Sequence, residues 1–242
     1  MKAEIASTLA LLERAGIPYC VLHGWHQAEE EPAGDVDLAV RSRDLSRIER
    51  LIDGGRDLFC VQLLQHSGSG FYFVLASAAG ETLRFQCLDL ATDYRHGGRL
   101  YLSADELLHG RRLHDGVWIS SETVEFSYLL IKKVLKGFVP PHQQERLQKL
   151  AGLLGPQAGA VVQRFFGGLW SETVLWWLER GDWKAFHSNL ASLKKALRRT
   201  ASRREPWTRF RFWLPELARI WKRWRRPTGL FVAVLGPDGS GK

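Results

Sequence analysis

The 242 residues are 45% hydrophobic and 25% charged. That is enough apolar material for a packed core, which excludes a disordered chain, and the length suits roughly one and a half to two domains. The formal charge of +8 is unevenly spread: between residues 194 and 226 thirteen Lys/Arg stand against Glu205 and Glu216, a net +11, leaving about −3 for everything else.

The first sixteen residues, MKAEIASTLALLERAG, read as an amphipathic helix, because Glu4 and Glu13 interrupt the run that a signal peptide would need. Gly16-Ile17-Pro18 then turns the chain into a strand over 19–23, ending at Gly24. A loop over 25–34 with three glutamates and Pro32 leads into a short strand over 35–40 that carries Asp35 and Asp37. Side chains alternate along a strand, so these two carboxylates share one face while Val36 and Leu38 point into a core. Like charges side by side call for a hard cation with oxygen ligands, which predicts Mg2+. Asp44 is expected to cap a helix running to Ile52 and stopped by Gly54-Gly55. Residues 58–80 lack charge over a length that could span a bilayer, but Ser67-Gly68-Ser69-Gly70 divides them, so they read as a hairpin. A further strand over 82–90 ends at Asp89, and the polar, turn-rich stretch 92–99 follows. Cys20, Cys60 and Cys87 are odd in number, sit in apolar stretches and lack zinc-site spacing, so they are expected as buried thiols in a reducing, cytoplasmic compartment.

Gly24 at the end of an apolar strand, a loop, and then Asp35-Val36-Asp37 resemble the motif of the nucleotidyltransferase superfamily. The resemblance implies a small mixed sheet and a metal site made by Asp35, Asp37 and a third carboxylate on a later strand. Asp89 is favoured for that place over Asp93, because it ends an apolar strand. It also implies ATP or another nucleoside triphosphate as substrate, bound near Gly24 and the residue after it, with Asp89 activating an unknown acceptor. The family has a small residue after the glycine. Here it is Trp25, a departure that favours the alternative of a catalytically inactive regulatory domain. Arg95, His96 and Arg99 are further phosphate candidates, against the plainer reading of solvated loop residues.

From Ser121 the periodicity becomes helical, with Val124, Tyr128, Ile131 and Leu135 on one face and Lys132, Lys133 and Lys136 on the other. Lys133 and Lys136 are triphosphate candidates by the same resemblance; the alternative is a solvated face. After Pro140-Pro141, helices are expected over 142–154, 158–166, 171–180 and 182–199, with Trp170, Trp176, Trp177 and Trp183 in a helical core. Trp207, Trp213, Trp221 and Trp224 are interleaved with arginines. Three readings stand for residues 205–226: a linker helix packed on its neighbour, attachment to an anionic membrane surface at its inner face, and, less favoured, nucleic acid.

The apolar run 230–235 and then Gly236-Pro237-Asp238-Gly239-Ser240-Gly241-Lys242 form a strand and a Walker A pattern up to its lysine. Gly236, Gly239, Ser240, Gly241 and Lys242 are therefore nucleotide-binding candidates, and GPDGSGK resembles the thymidylate kinase-like branch of P-loop kinases. The helix of a complete phosphate site is missing, so the chain is expected to be a fragment. Taken together, its two ends resemble bacterial proteins that join a nucleotidyltransferase-like domain to a thymidylate kinase-like domain, a type met among polysaccharide biosynthesis genes. The expected architecture is α+β: a nucleotidyltransferase-like mixed-sheet domain (1–120), a helical subdomain (121–200), a basic aromatic linker helix (201–228) and the start of a P-loop kinase-like α/β domain (229–242).

Overall fold

The computed structural model describes residues 2–25, 36–53, 58–79, 82–204 and 206–225. Helix α1 (Lys2–Arg14) leads into β1 (Tyr19–Val21), and β2 (Val36–Val40) is followed by a 3-10 turn (Ser42–Asp44) and α2 (Leu45–Asp53). Three long strands come next, β3 (Leu58–Ser67), β4 (Gly70–Ala79) and β5 (Thr82–Ala91), then β6 (Asp93–His96), β7 (Arg99–Ser103) and α3 (Ala104–Leu108). Strands β8 (Arg112–His114) and β9 (Val117–Ile119) precede a helical series. It comprises α4 (Glu122–Lys136), α5 (Pro141–Leu154), α6 (Pro156–Phe166), α7 (Gly168–Arg180), α8 (Trp183–Ser188), α9 (Leu190–Arg204) and α10 (Thr208–Arg225).

Among the described residues, seven strands form one mixed sheet in the order β3-β4-β5-β2-β1-β9-β8. The pairs β2/β5 and β1/β9 are parallel and the others antiparallel. The fold is thus α+β, a mixed sheet followed by helices. Strand alternation divides the core in two. Tyr19, Val21, Leu38, Val40, Phe73 and Leu88 pack under α1 and α2 on one face. Cys20, Leu22 and Ala39 lie on the other, in a second cluster that continues through α3 and α4 to Leu197 of α9. Each fully buried Leu, Ile or Phe contributes about 1.5–3 kcal/mol. Asp37 shares a strand face with Ala39, so it projects toward α4.

Several local expectations are revised. The stretch 92–99 is not merely turn-rich: it forms the β6-β7 hairpin, with Gly97 at φ +57 and Gly98 at φ +76 making its turn. The helix expected over 182–199 is two helices. The Asp182 side chain accepts from the Ala185 N–H and starts α8, and the Asn189 amide, which donates to the Ala185 carbonyl, marks its end. Asp44 closes the 3-10 turn just before α2 and accepts a 3.1 Å bond from Arg47 Nη1. Only Cys20 is buried, its thiol pushed up to about 12 by desolvation, which makes it an inert packing group. Cys60 and Cys87 are half-buried, because β3 is a sheet edge and Cys87 lies on the face of β5 opposite the one packed under α1 and α2. No helix among the described residues is long and apolar enough to cross a membrane.

Candidate functional site

The parallel pairing of β2 with β5 places Asp37 directly opposite Asp89. In that register the two side chains leave the sheet on the same face, from strands about 4.8 Å apart. Both border a cleft of ≈ 760 Å³ between the sheet, the β6-β7 hairpin and α4. Asp35 lies outside the described residues.

Asp37 is 8% exposed and sits at the centre of a charged cluster. Its Oδ2 lies 2.6 Å from His23 Nε2 and also accepts from Lys132 Nζ. Burial alone would raise this carboxyl. The His23 hydrogen bond and the Lys132 charge outweigh it and hold Asp37 well below the usual carboxylate range, so Asp37 is ionised. His23 is held in place by the end of β1, where Leu22 N–H donates to the Asp37 carbonyl and Ser120 Oγ donates to the Leu22 carbonyl at 2.9 Å.

An aromatic wall completes the cluster. Tyr128 stacks on His23 with ring centroids 5.8 Å apart, Tyr94 meets Tyr128 edge-on at 4.9 Å, and Lys132 Nζ lies 5.0 Å from the Tyr128 ring centre. Burial, and then the charge of Asp37, push the Tyr128 hydroxyl well above its ordinary value, so it remains a neutral group. Tyr128, Lys132 and Lys136 recur every four residues and therefore stand on one side of α4. Lys133, 7% exposed, also borders the cleft. Desolvation first, and then the charges of Lys132 and Lys136, bring it down to about 8.

The sequence-selected residues thus separate. Asp37, Asp89, Lys133 and Lys136 come together at the cleft. Gly24 is in the left-handed region at φ +81, where any other residue would be strained. Trp25 is 7% exposed and belongs to the core under α1 and α2. Asp93 also borders the cleft; it is tied to Arg95 at 2.9 Å and accepts from the Ala104 N–H at 2.9 Å, so it fastens the hairpin to α3 as well. Arg95 and His96 border the cleft, whereas Arg99 donates to Ser202 of α9. The phosphate-loop candidates Gly236, Gly239, Ser240, Gly241 and Lys242 lie outside the described residues. His23, Lys132, Tyr94 and Tyr128 were missed as site residues. The four-residue recurrence of Tyr128 with Lys132 was the available signal, hidden by assigning the tyrosine and the lysines to opposite faces.

As a cation site, the donor chemistry of Asp37 and Asp89 fits a hard divalent ion. Among the described residues no group of three His, Cys, Asp or Glu is gathered to hold one. Lys132 and a divalent cation are alternative counter-charges for Asp37.

No protein-family model matches the chain, and no curated protein matches it either. Among solved structures it is similar to JHP933 from Helicobacter pylori, at 11% identity and a TM-score of 0.41, over 93% of this chain and 96% of that one. It is also similar to an H. pylori protein named as a candidate nucleotidyltransferase, at 12% identity and a TM-score of 0.36, over 84% of this chain and 93% of that one.

Proposed function

We propose that the cleft transfers a nucleotidyl group from ATP or another nucleoside triphosphate to an acceptor hydroxyl or phosphate. The observation that carries this reading is the Asp37-Asp89 register, which aims two carboxylates into a cleft bordered by Lys133, Lys136 and Arg95. Lysines at that rim bind and orient the anionic phosphates, and Asp89 accepts the proton of the acceptor as its oxygen bonds to the α-phosphorus and the bond to pyrophosphate breaks. The ionised Asp37, with Asp35 beside it in the chain, is the group that would hold Mg2+ together with Asp89. That ion supplies charge neutralisation on the phosphates.

The test is Mg2+-dependent binding of a fluorescent ATP analogue, read with pyrophosphate release, in wild type, Asp37→Asn and Asp89→Asn. Both variants should lose most of the Mg2+-dependent binding; binding equal to wild type in both would overturn the assignment. A second reading, a ligand-sensing regulatory domain, is favoured by one observation: Asp37 already has Lys132 and His23 on its oxygen. Tight binding with no pyrophosphate release for any acceptor would select it.

A further inference from the structure

Helix α10 is fastened by one side and shows the other. Phe212, Trp213 and Glu216 press on the two turns beside the cleft: a methyl group on Gly68 would meet Glu216 Oε1 at 3.2 Å, and one on Gly98 would meet Trp213 Nε1 at 2.9 Å. Glu216 is buried and bonded to Arg219, so the one acid of the helix is spent inside. Leu214, Leu217, Ile220, Trp221 and Trp224 are 50–75% exposed, and Trp213, at the border with the fastened side, is still 41% exposed. At 3.6 residues per turn these six positions fall within an arc of about 120°. Arg225 is exposed at the edge of this arc, 5.1 Å from the Trp221 ring centre, and Lys222 is exposed further round the helix, about 80° beyond that edge.

We propose that this stripe docks on an anionic lipid surface, with the tryptophans at headgroup depth and the flanking cations against lipid phosphates. Charge selects the occupant. The helix carries six basic residues and one acid, so a second copy laid on the stripe would bring like charge to like, whereas an anionic bilayer complements it. Tryptophan with Lys/Arg on an exposed apolar arc is the composition of helices that lie in a membrane interface. Because the same helix rests on the turns next to Ser69 and His96, which border the cleft, docking would set the cleft mouth beside the bilayer.

The full chain is floated with vesicles of equimolar phosphatidylglycerol and phosphatidylcholine, and with phosphatidylcholine alone. Recovery is expected only with the anionic vesicles and should collapse at high salt. The triple substitution Leu217→Ser, Trp221→Ser, Trp224→Ser should abolish it. Lys222→Glu with Arg225→Glu should lower partitioning on the order of a hundredfold. All five positions are exposed, and unchanged circular dichroism and melting temperature would show that the variants fold. Equal recovery from both vesicle types, or none from either, overturns the proposal, as does a triple variant that floats like wild type. Wild-type dimers that the triple variant dissociates, with no flotation, would assign the stripe to a second copy and overturn it as well.

Discussion

Helices α4 and α10 read alike along the chain, each mixing cations with aromatic and aliphatic residues, and they end in opposite environments. Helix α4 lies between the sheet and α5, α6 and α9, so Tyr128 and even Lys133 are buried and the cations are turned onto Asp37 and the cleft. Helix α10 rests on the turns at Gly68 and Gly98 and neighbours β7, and Trp221 and Trp224 remain outside. The difference teaches that the neighbours a helix has on both sides, more than its composition, decide whether a cation becomes a site residue or a solvated one. Desolvation then makes the α4 charges energetically significant and leaves those of α10 nearly free of cost.

The carboxylates should be the most sensitive positions of the cleft. Asp89→Asn should lower transfer on the order of 10²–10³-fold with little change in melting temperature, checked by pyrophosphate release and calorimetry; a comparable rate would detach β5 from the chemistry. Trp25→Ala should cost about 3–5 kcal/mol in denaturant unfolding, because the ring fills the core under α1 and α2; a loss of nucleotide binding at unchanged stability would place the ring in the phosphate site instead.

Lys132→Met should cost about 2–4 kcal/mol at neutral pH by leaving Asp37 buried with less counter-charge. Because Asp37 is depressed in the fold, its contribution is present above the unfolded carboxylate value of about 4 and lost as pH falls through the folded one. The gap between wild type and variant should therefore narrow in acid. Lys133 behaves in the opposite sense. Its folded value of about 8 lies below the ordinary lysine range, so the unfolded chain binds more protons above that pH and stability rises as the pH is raised from there. Lys133→Met should remove that rise and stabilise the protein by about 1–2 kcal/mol at pH 7, and a bound polyphosphate should shift the rise upward. On α10, Trp224→Ser should change stability by less than about 0.5 kcal/mol, since the ring is 75% exposed, and a larger loss would mean the helix has a partner within the chain.

Much of the site was legible before the fold. Alternation along 35–40 aimed Asp37 away from Leu38, and an apolar strand ending at Asp89 put that residue on the same sheet; Asp93, the competing carboxylate, also borders the cleft while bracketing the β6-β7 hairpin. Less legible were the residues that act through packing. His23 looked like the last residue of a strand, and Lys132 like part of a solvated face, because a one-dimensional pattern does not say which helix side meets which sheet face. Trp25 carried the same ambiguity: beside Gly24 it looked like an obstruction in a phosphate loop, and burial under α1 resolves it as core.

By itself, the sequence determined periodicity and local chemistry: the strand faces of Asp37 and Leu38, the turn glycines, the α1 stripe and the concentration of charge after residue 194. These depend on residues a few positions apart, where backbone geometry alone dictates direction. Tertiary structure alone decided that β2 pairs in parallel with β5 so that Asp37 meets Asp89, that α4 delivers Lys132 to Asp37 across 95 positions of chain, and that α10 keeps its tryptophans uncovered. Such pairings are chosen by burial of whole faces and by desolvation of charge, which are properties of the assembled core and not of any one segment.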